Sequence, residues 1–421
     1  PQSGPSRLLE NRNGRLVDAT ASAAPSLTDA GLVTGAVWSD ANGDGWLDLL
    51  ITAEWGPIRF LENQQGRLVD RTEQSGLAER TGWYNGVAAR DLDGDGDIDY
   101  VATNFGLNTK YRAAPDSPVV LFYGDFEGDG RKCLVEAEYE QGDLYPIRGR
   151  SCSTNAIPSL GRKFESFRDF AAATLPEIYD HNRLRQSKQL QCRSLESTAL
   201  INDGKGKFQF EPLPRMAQIS PAFGVLLTEF DGDGRADLFL AQNFFQPQPE
   251  TGRMDGGMGL LLTGEGDGHF QPQSPAMSGV IVAGDATAVA ECDLNGDGYP
   301  DLLVAQNDDE LKLFRRSADD GVSRNPPPSL LRVSLRGPAG NPIGCGARVS
   351  VQLLDGRTQT AEVSAGGGYL SQSSPTLTFG RPHDSPVEQI DVRWPQGEES
   401  SRRATTSVGP AIEILHPSLG G

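Results

Sequence analysis

Short apolar runs separated by polar, glycine-rich turns recur over the first three quarters of the chain. Around the first such turn, alternation and turn signals predict four consecutive strands: Gly35 to Trp38, Leu47 to Thr52, Ile58 to Asn63 and Arg67 to Arg71. Four antiparallel strands of this length form one blade of a β-propeller. The repetition of this unit predicts an all-β protein, a propeller of six or seven blades.

The chain opens halfway through a blade. Leu8 to Asn11, followed by Arg15 to Asp18, nearly copies the third and fourth strands of the first unit. These strands either complete the last blade, after Leu311 to Phe314, or remain from a blade whose first half is missing. Ring closure removes exposed sheet edges, so it is the favoured alternative.

A helical insertion is predicted at about 148–196. Phe164, Phe167 and Phe170 lie three residues apart, and Thr174 to Glu177 has the pattern of a capping box that opens a helix. Strands then return around an Asn-Asp-Gly turn at 202–204.

The insertion is basic, with nine Lys or Arg against four acids between residues 148 and 193. It either receives an anionic ligand or partner at the funnel of the ring, or packs on the ring and neutralises nearby carboxylates. The residues selected for ligand binding are Tyr179, His181, Arg183 and Arg185.

A second domain follows Asn325 to Pro328, a linker by composition. The predicted division is a propeller at 1–325 and a small β domain at 329–421. The strands expected in the second domain are Leu330 to Leu335, Ala347 to Leu353, Thr358 to Val363, Leu377 to Phe379, Ile390 to Trp394 and Ala411 to Leu415.

Acidic nine-residue loops precede the second strand of each unit. Carboxylates or amides at positions 1, 3, 5 and 9, a backbone carbonyl at position 7 and glycines at 4 and 6 form a bent cage of hard oxygen ligands, which suits Ca2+. The predicted metal ligands are Asp40, Asn42, Asp44, Trp46 and Asp48; Asp91, Asp93, Asp95, Asp97 and Asp99; Asp125, Glu127, Asp129 and Arg131; Glu229, Asp231, Asp233, Arg235 and Asp237; and Asp293, Asn295, Asp297, Tyr299 and Asp301.

These loops predict four Ca2+ sites and a weaker fifth. In the loop that starts at Asp125, Cys133 stands where the closing carboxylate belongs, so this site is expected to be weak, completed by water or empty. Turns between strands without metal are the simpler alternative. An EF-hand fits less well, because its loop has twelve residues between two helices.

Charge and cysteine content narrow the functional classes. The net charge is -19, and positions 1, 3, 5 and 9 of the five loops hold 17 of the 57 acidic residues. Such a surface repels phosphate, so nucleic acid is not an expected partner.

No apolar run is long enough for a membrane span, and the start of the chain lacks a signal peptide, as in a processed chain or a piece of a longer one. Cys152 and Cys192 either form a disulfide or remain free.

With these motifs in view, the chain resembles two sequence families joined together. The loops and their strands resemble the FG-GAP/VCBS repeat of integrin-α-type propellers. The C-terminal part resembles the ASPIC/UnbV domain through Gly344-Cys345-Gly346-Ala347-Arg348-Val349, Gly366 to Gln372, Leu377 to Gly380 and Val392 to Gly397. This combination is similar to that of the cartilage acidic protein-like family. The resemblance implies a calcium-loaded propeller in an extracellular, periplasmic or cell-surface setting.

Two functions compete on the sequence alone. The leading hypothesis is a non-catalytic binding or adhesion module with a protein or carbohydrate ligand, whose blades are stabilised by Ca2+. The alternative is an enzyme of the UnbV type, from natural-product biosynthesis, with its site at the propeller funnel beside the insertion. For that enzyme, Glu136, Glu138 and His181 are the titratable residues to test, since no catalytic triad or HExxH motif is present.

Overall fold

The computed structural model describes residues 4–316, 329–383, 385–403 and 409–419. Strands make up 40% and helices 13% of the chain, which confirms the predicted all-β class. The proposed linker at 325–328 lies outside the described residues.

The strands before the C-terminal region are short and separated mostly by tight turns. In chain order they are β1 (Leu9–Arg12), β2 (Arg15–Asp18), β3 (Leu32–Ser39), β4 (Asp48–Gly56), β5 (Arg59–Asn63), β6 (Leu68–Asp70), β7 (Gly82–Trp83), β8 (Val87–Arg90), β9 (Asp99–Ala102), β10 (Val119–Gly124), β11 (Cys133–Glu140), β12 (Asp143–Pro146), β13 (Lys188–Cys192), β14 (Thr198–Asn202), β15 (Phe208–Pro212), β16 (Ala222–Thr228), β17 (Asp237–Gln242), β18 (Leu260–Gly264), β19 (Phe270–Pro272), β20 (Ala286–Cys292), β21 (Asp301–Gln306) and β22 (Lys312–Phe314).

Four antiparallel sheets carry the repeats. The first repeat sheet contains β3 to β6, the second β8, β9, β14 and β15, the third β16 to β19, and the fourth β20 to β22. Their first strands, β3, β8, β16 and β20, are neighbours in that order. Apolar clusters fill the spaces between consecutive sheets, such as Leu50, Tyr100 and Leu200 between the first two and Phe239 and Val304 between the last two. Radial packing of this kind is how propeller blades bury both faces; the number of blades stays a prediction.

The N-terminal hairpin β1–β2 forms its own two-stranded sheet within the described residues. Leu8, just before β1, packs on the face of the first repeat sheet that is turned away from the second repeat sheet, against a cluster that includes Leu27, Leu49 and Leu61. The sequence favoured a hairpin that completes the last blade. Within the described residues, however, the sheet β20–β22 does not include β1 or β2.

The insertion begins earlier than the sequence predicted. Residues 103–197 separate β9 from β14 of the second repeat sheet and form a sheet of their own, in the order β12-β11-β10-β13. The third acidic loop, which joins β10 to β11, thus lies in this insertion and not in a repeat sheet. The helices of the insertion pack on the insertion sheet through a core that includes Phe122, Phe170 and Leu175.

The helices are short and concentrated in the insertion. They are α1 (Thr20–Ala23), α2 (Arg150–Ala156), α3 (Ser159–Lys163), α4 (Phe167–Ala172), α5 (Leu175–Tyr179), α6 (His181–Gln186) and α7 (Pro275–Ser278). The capping box predicted at Thr174 and Glu177 is present at the start of α5. No helix among the described residues is long and apolar enough to cross a membrane.

The C-terminal strands form two more sheets around a separate core. They are β23 (Leu330–Arg336), β24 (Arg348–Leu353), β25 (Thr358–Glu362), β26 (Ala365–Gly366), β27 (Leu377–Gly380), β28 (Val387–Arg393), β29 (Glu399–Arg403) and β30 (Ala411–Leu415). The sheets β27-β23-β30 and β25-β24-β28-β29, here called the C-terminal sheets, enclose Phe379, Ile390 and Trp394. β26 leaves them and pairs with β3 of the first repeat sheet.

Candidate metal loops and their arginine partners

Each acidic loop connects two neighbouring antiparallel strands, and its closing residue is the first residue of the second strand. In the second loop, Arg90 at the end of β8 pairs with Asp99 at the start of β9. The glycines at positions 4 and 6 have positive φ, for example 80° at Gly94 and 93° at Gly96. A residue with a Cβ adopts that backbone at a cost, so the glycines allow the loop to fold back on itself.

Backbone amides of the loop hold the first carboxylate. In the second loop, Gly94 donates to Asp91 Oδ1 at 2.7 Å and Gly96 donates to Asp91 Oδ2 at 3.1 Å. Similar bonds hold Glu229 in the fourth loop, from Gly232 at 2.7 Å and Gly234 at 2.9 Å. The position-1 side chain is therefore fixed inside the loop by the turn itself.

The closing carboxylate has a structural role that the sequence did not indicate. Asp99 accepts one bond from Leu92 N and another from Asn202 N in β14, both at 2.8 Å. Asp237 likewise accepts from Phe230 N at 2.7 Å and from Gly264 N at 3.0 Å. The closing residue thus ties the loop to the third strand of its sheet.

In the second and fourth loops, the carboxylates at positions 1, 3 and 9 come together. Carboxylate oxygens of Asp91, Asp93 and Asp99 lie within 4.8 Å of one another, and those of Glu229, Asp231 and Asp237 do the same. Within the described ranges, no third group of acidic, histidine or cysteine side chains is assembled in this way. All donors are hard oxygens, so both groups fit Ca2+.

Burial makes these groups unfavourable as bare anions. Desolvation raises the pKa of Asp91 and of Asp237 to about 7 and that of Asp99 to about 8, and neighbouring carboxylates add to the effect. Burial also raises the pKa of Glu229 well above its ordinary value. A proton or a bound cation removes this penalty, and a cation removes it for several carboxylates at once.

The first and fifth loops are neutralised differently, by arginines of the C-terminal sheets. Arg393 donates to Asp40 Oδ2 at 2.6 Å, and Arg332 donates to Asp293 Oδ2 at 2.5 Å. Both carboxylates are position 1 of their loop. Position 3 in these loops is Asn42 or Asn295, so each loop also has one carboxylate fewer.

Other contacts place the C-terminal sheets directly on the loops. Arg348 donates to the carbonyls of Asp40 at 2.7 Å and of Gly96 at 3.2 Å, and Arg357 donates to the carbonyl of Asp233 at 3.0 Å. A Cβ on Gly380 would collide with Gly234 N and Glu229 Oε2. The sequence motifs did not reveal this interface, because its two halves are up to about 350 residues apart.

The third loop is satisfied by protein groups. Arg131 binds Glu127 at 3.0 Å and Asp129 at 2.6 Å, while Ser159 N donates to Glu127 at 2.9 Å. Backbone hydrogen bonds lower the pKa of Asp125. The Cys133 thiol points to the carbonyl of Ala156 at 3.8 Å. The expectation that this site is weak or empty stays a prediction.

The residues selected in the helical insertion do not form one site. Tyr179 is buried and donates to Ser153 at 3.1 Å, and Arg185 bonds to Asn182 within its own helix. Arg183 lies against Gly128 of the third loop, and His181 is exposed at the start of α6. These contacts all lie within the insertion, so the choice between an anion-binding role and packing on the ring stays a prediction.

The residues selected for an enzyme are also on separate elements. Glu136 of β11 binds Arg148 at 2.7 Å and accepts from Tyr111 at 3.3 Å, whereas His181 belongs to α6. Burial raises the pKa of Glu138. Cys152 and Cys192 are both free thiols.

Comparison with known sequences defines the class of protein. Residues 40–102 and 230–304 match the family described as FG-GAP-like repeat, and residues 337–410 match the family described as ASPIC and UnbV. The chain therefore combines FG-GAP-like repeats with an ASPIC/UnbV domain, as its motifs suggested.

Particular relatives are cartilage acidic protein 1 from three vertebrates. The Mus musculus and Homo sapiens proteins are each 26% identical over 218 residues, which is 51% of this chain and 32% or 31% of the relative. The Xenopus tropicalis protein is 24% identical over 490 aligned residues, covering 91% of this chain and 73% of the relative. The matched part thus spans about a third of the mouse and human relatives.

Proposed function

We propose that the chain is an extracellular or exported calcium-binding β-propeller that acts as a binding or adhesion module for a protein or carbohydrate ligand. In this proposal, residues 1–325 form the propeller and 329–421 a second domain that covers its loops. The single observation that carries the calcium proposal is the approach of three carboxylates in each of the loops 91–99 and 229–237.

The contacts of the loop explain how an ion would stabilise a repeat sheet. Positions 1 and 9 lie at the ends of the first and second strands, and position 9 also binds the third strand. An ion held by positions 1, 3, 5 and 9 and the carbonyl of position 7 would therefore fix three strands together. Because the unfolded chain lacks this arrangement, calcium binding adds to the free energy of unfolding.

The exported setting is proposed from the loops and the relatives together. Calcium modules with dissociation constants of about 10⁻⁴–10⁻³ M fill outside the cytosol. The chain's similarity to proteins named cartilage acidic protein 1 agrees with that setting.

Calorimetric titration of the chelator-treated protein with CaCl2 tests the proposal. We expect saturable binding by the wild type, and one site fewer in Asp99→Asn and in Asp237→Asn, since each variant loses one ligand charge at nearly constant volume. Asp129→Asn in the third loop is the matched control and should leave the stoichiometry unchanged.

Two results would overturn the proposal. One is a wild-type protein that binds no Ca2+ under these conditions. The other is equal stoichiometry in all four proteins, which would place the ions elsewhere.

A further inference from the structure

A cavity of about 360 Å³ opens at the end of β4 opposite its acidic loop. Its size lies within the range of small-ligand sites. Six of its lining side chains are aromatic: Trp55 of β4, Trp83 of β7, Phe105 and Tyr111 of the insertion, Phe223 of β16 and Phe244 just after β17.

The rings support one another. The Trp83 ring centroid lies 4.7 Å from that of Trp55, 4.6 Å from that of Phe105 and 4.7 Å from that of Tyr111, in each case edge to face. Phe223 and Phe244 form another edge-to-face pair at 5.6 Å. This mutual packing holds the wall in place, so a ligand would meet a preformed aromatic surface.

Glu54 supplies an uncompensated charge to this aromatic wall. It lines the cavity, and its side chain has no hydrogen bond or ion pair within the described part of the chain. Its side chain meets solvent at the mouth of the cavity, yet desolvation by the surrounding protein raises its pKa. A cation inside the cavity would give this carboxylate a counter-charge.

The other charges of the wall are already paired. Arg148 binds Glu136 at 2.7 Å, with 11% and 15% of the two side chains exposed, and it approaches Glu250 at 3.4 Å. Since Glu136 neutralises Arg148, Glu54 leaves the lining of the cavity with a net negative charge.

We propose that this cavity binds an organic cation of the alkylated-ammonium type, with Glu54 as the counter-charge and the aromatic rings as the surrounding wall. Rings attract a cation through the negative potential of their faces, most strongly where water is excluded. A neutral sugar would also stack on such rings, but it would leave the charge of Glu54 uncompensated.

Calorimetry on the full chain in calcium, with choline as the probe, tests this proposal. The reference ligand is the neutral isostere in which a tert-butyl group replaces the trimethylammonium group. We expect one-to-one binding of choline and at least about tenfold weaker binding of the isostere. Quenching of tryptophan fluorescence should follow the same curve, because two of the five tryptophans line the cavity.

Glu54→Gln removes the charge and keeps the shape of the side chain. We expect it to weaken choline binding by about tenfold and to leave binding of the isostere unchanged. Glu73→Gln, at an exposed position outside the cavity, is the matched control and should bind choline as the wild type does. Equal melting temperatures of the three proteins would show that the fold is intact.

Three outcomes would overturn the inference. They are absence of choline binding, equal affinity for choline and its isostere, and unchanged choline affinity in Glu54→Gln. Binding of methyl glycosides in place of choline would assign the cavity to a neutral sugar. Calcium titration is measured separately, so failure of this cation site leaves the proposed metal loops untouched.

Discussion

The loops 91–99 and 293–301 have the same spacing and connect equivalent strands, yet they are neutralised differently. Loop 91–99 gathers Asp91, Asp93 and Asp99 into one group. Loop 293–301 has Asn295 at position 3, and its first carboxylate, Asp293, accepts a hydrogen bond from Arg332 of the C-terminal sheets. Loops 229–237 and 40–48 repeat the same contrast. The repeat pattern therefore specifies the turn, while the residue at position 3 and the distant arginine distinguish a group of three carboxylates from a carboxylate paired with arginine.

Removal of calcium should have the largest effect on this contrast. An ion at a hundred times its dissociation constant adds about 2.7 kcal/mol per site, so two sites predict a fall in melting temperature on the order of 10 °C with EDTA. Differential scanning calorimetry with and without EDTA measures it. In Asp99→Asn the fall should be about half as large; an unchanged melting temperature in the wild type would contradict the prediction.

Loss of an arginine should affect the other pair of loops. Arg332→Gln leaves the buried carboxylate of Asp293 without its partner, and we expect a loss of about 2 kcal/mol in the free energy of unfolding in EDTA. In excess calcium the loss should be smaller, because a cation replaces the arginine. Chemical denaturation under both conditions measures the difference.

The control for this variant is Arg357→Gln. Arg357 pairs with Asp355 at the surface and contacts the fourth loop through a carbonyl, so its loss should cost less than about 1 kcal/mol in either condition. If Arg332→Gln loses the same free energy of unfolding with and without calcium, then a calcium ion does not replace the arginine at Asp293.

The pH dependence of the calcium-free protein should show a smaller effect. Burial raises the pKa of Asp48 and Asp99 to about 8, far above the value of about 3.9 in an unfolded chain. The folded state then binds more protons, so its stability should fall as pH rises from about 4 to about 8. Melting temperatures in EDTA across this range measure the fall, which should be shallower in Asp99→Asn. A rise with pH that Asp99→Asn does not alter would contradict it.

Local signals predicted much of the fold. The loops, most of their flanking strands and the capping box at Thr174 depend on residues within about ten positions of one another, where spacing and turn chemistry are informative. The carboxylate groups follow from the same spacing. The fold of the second repeat sheet was missed, because its β9 and β14 are separated by the whole insertion.

The contacts between distant segments were beyond such reasoning. Arg393 belongs to the motif Val392 to Gly397, but nothing in the sequence pairs it with Asp40, and only the structure brings the two together. Glu54 and Trp55 lie just beyond the predicted strand Leu47 to Thr52, and the aromatic side chains around them come from four separate stretches of the chain. Pairings of this kind depend on the tertiary arrangement and leave no periodic pattern.

The pairing of β26 with β3 also affects the order of events during synthesis. The inner edge of the first repeat sheet stays open until Ala365 and Gly366 arrive, more than 300 residues after Trp38. At about 5–20 residues per second, a ribosome needs roughly 15–65 s to make that stretch. Throughout that time the nascent chain presents an unpaired strand edge. This edge can therefore be covered only after the C-terminal part of the chain has been made.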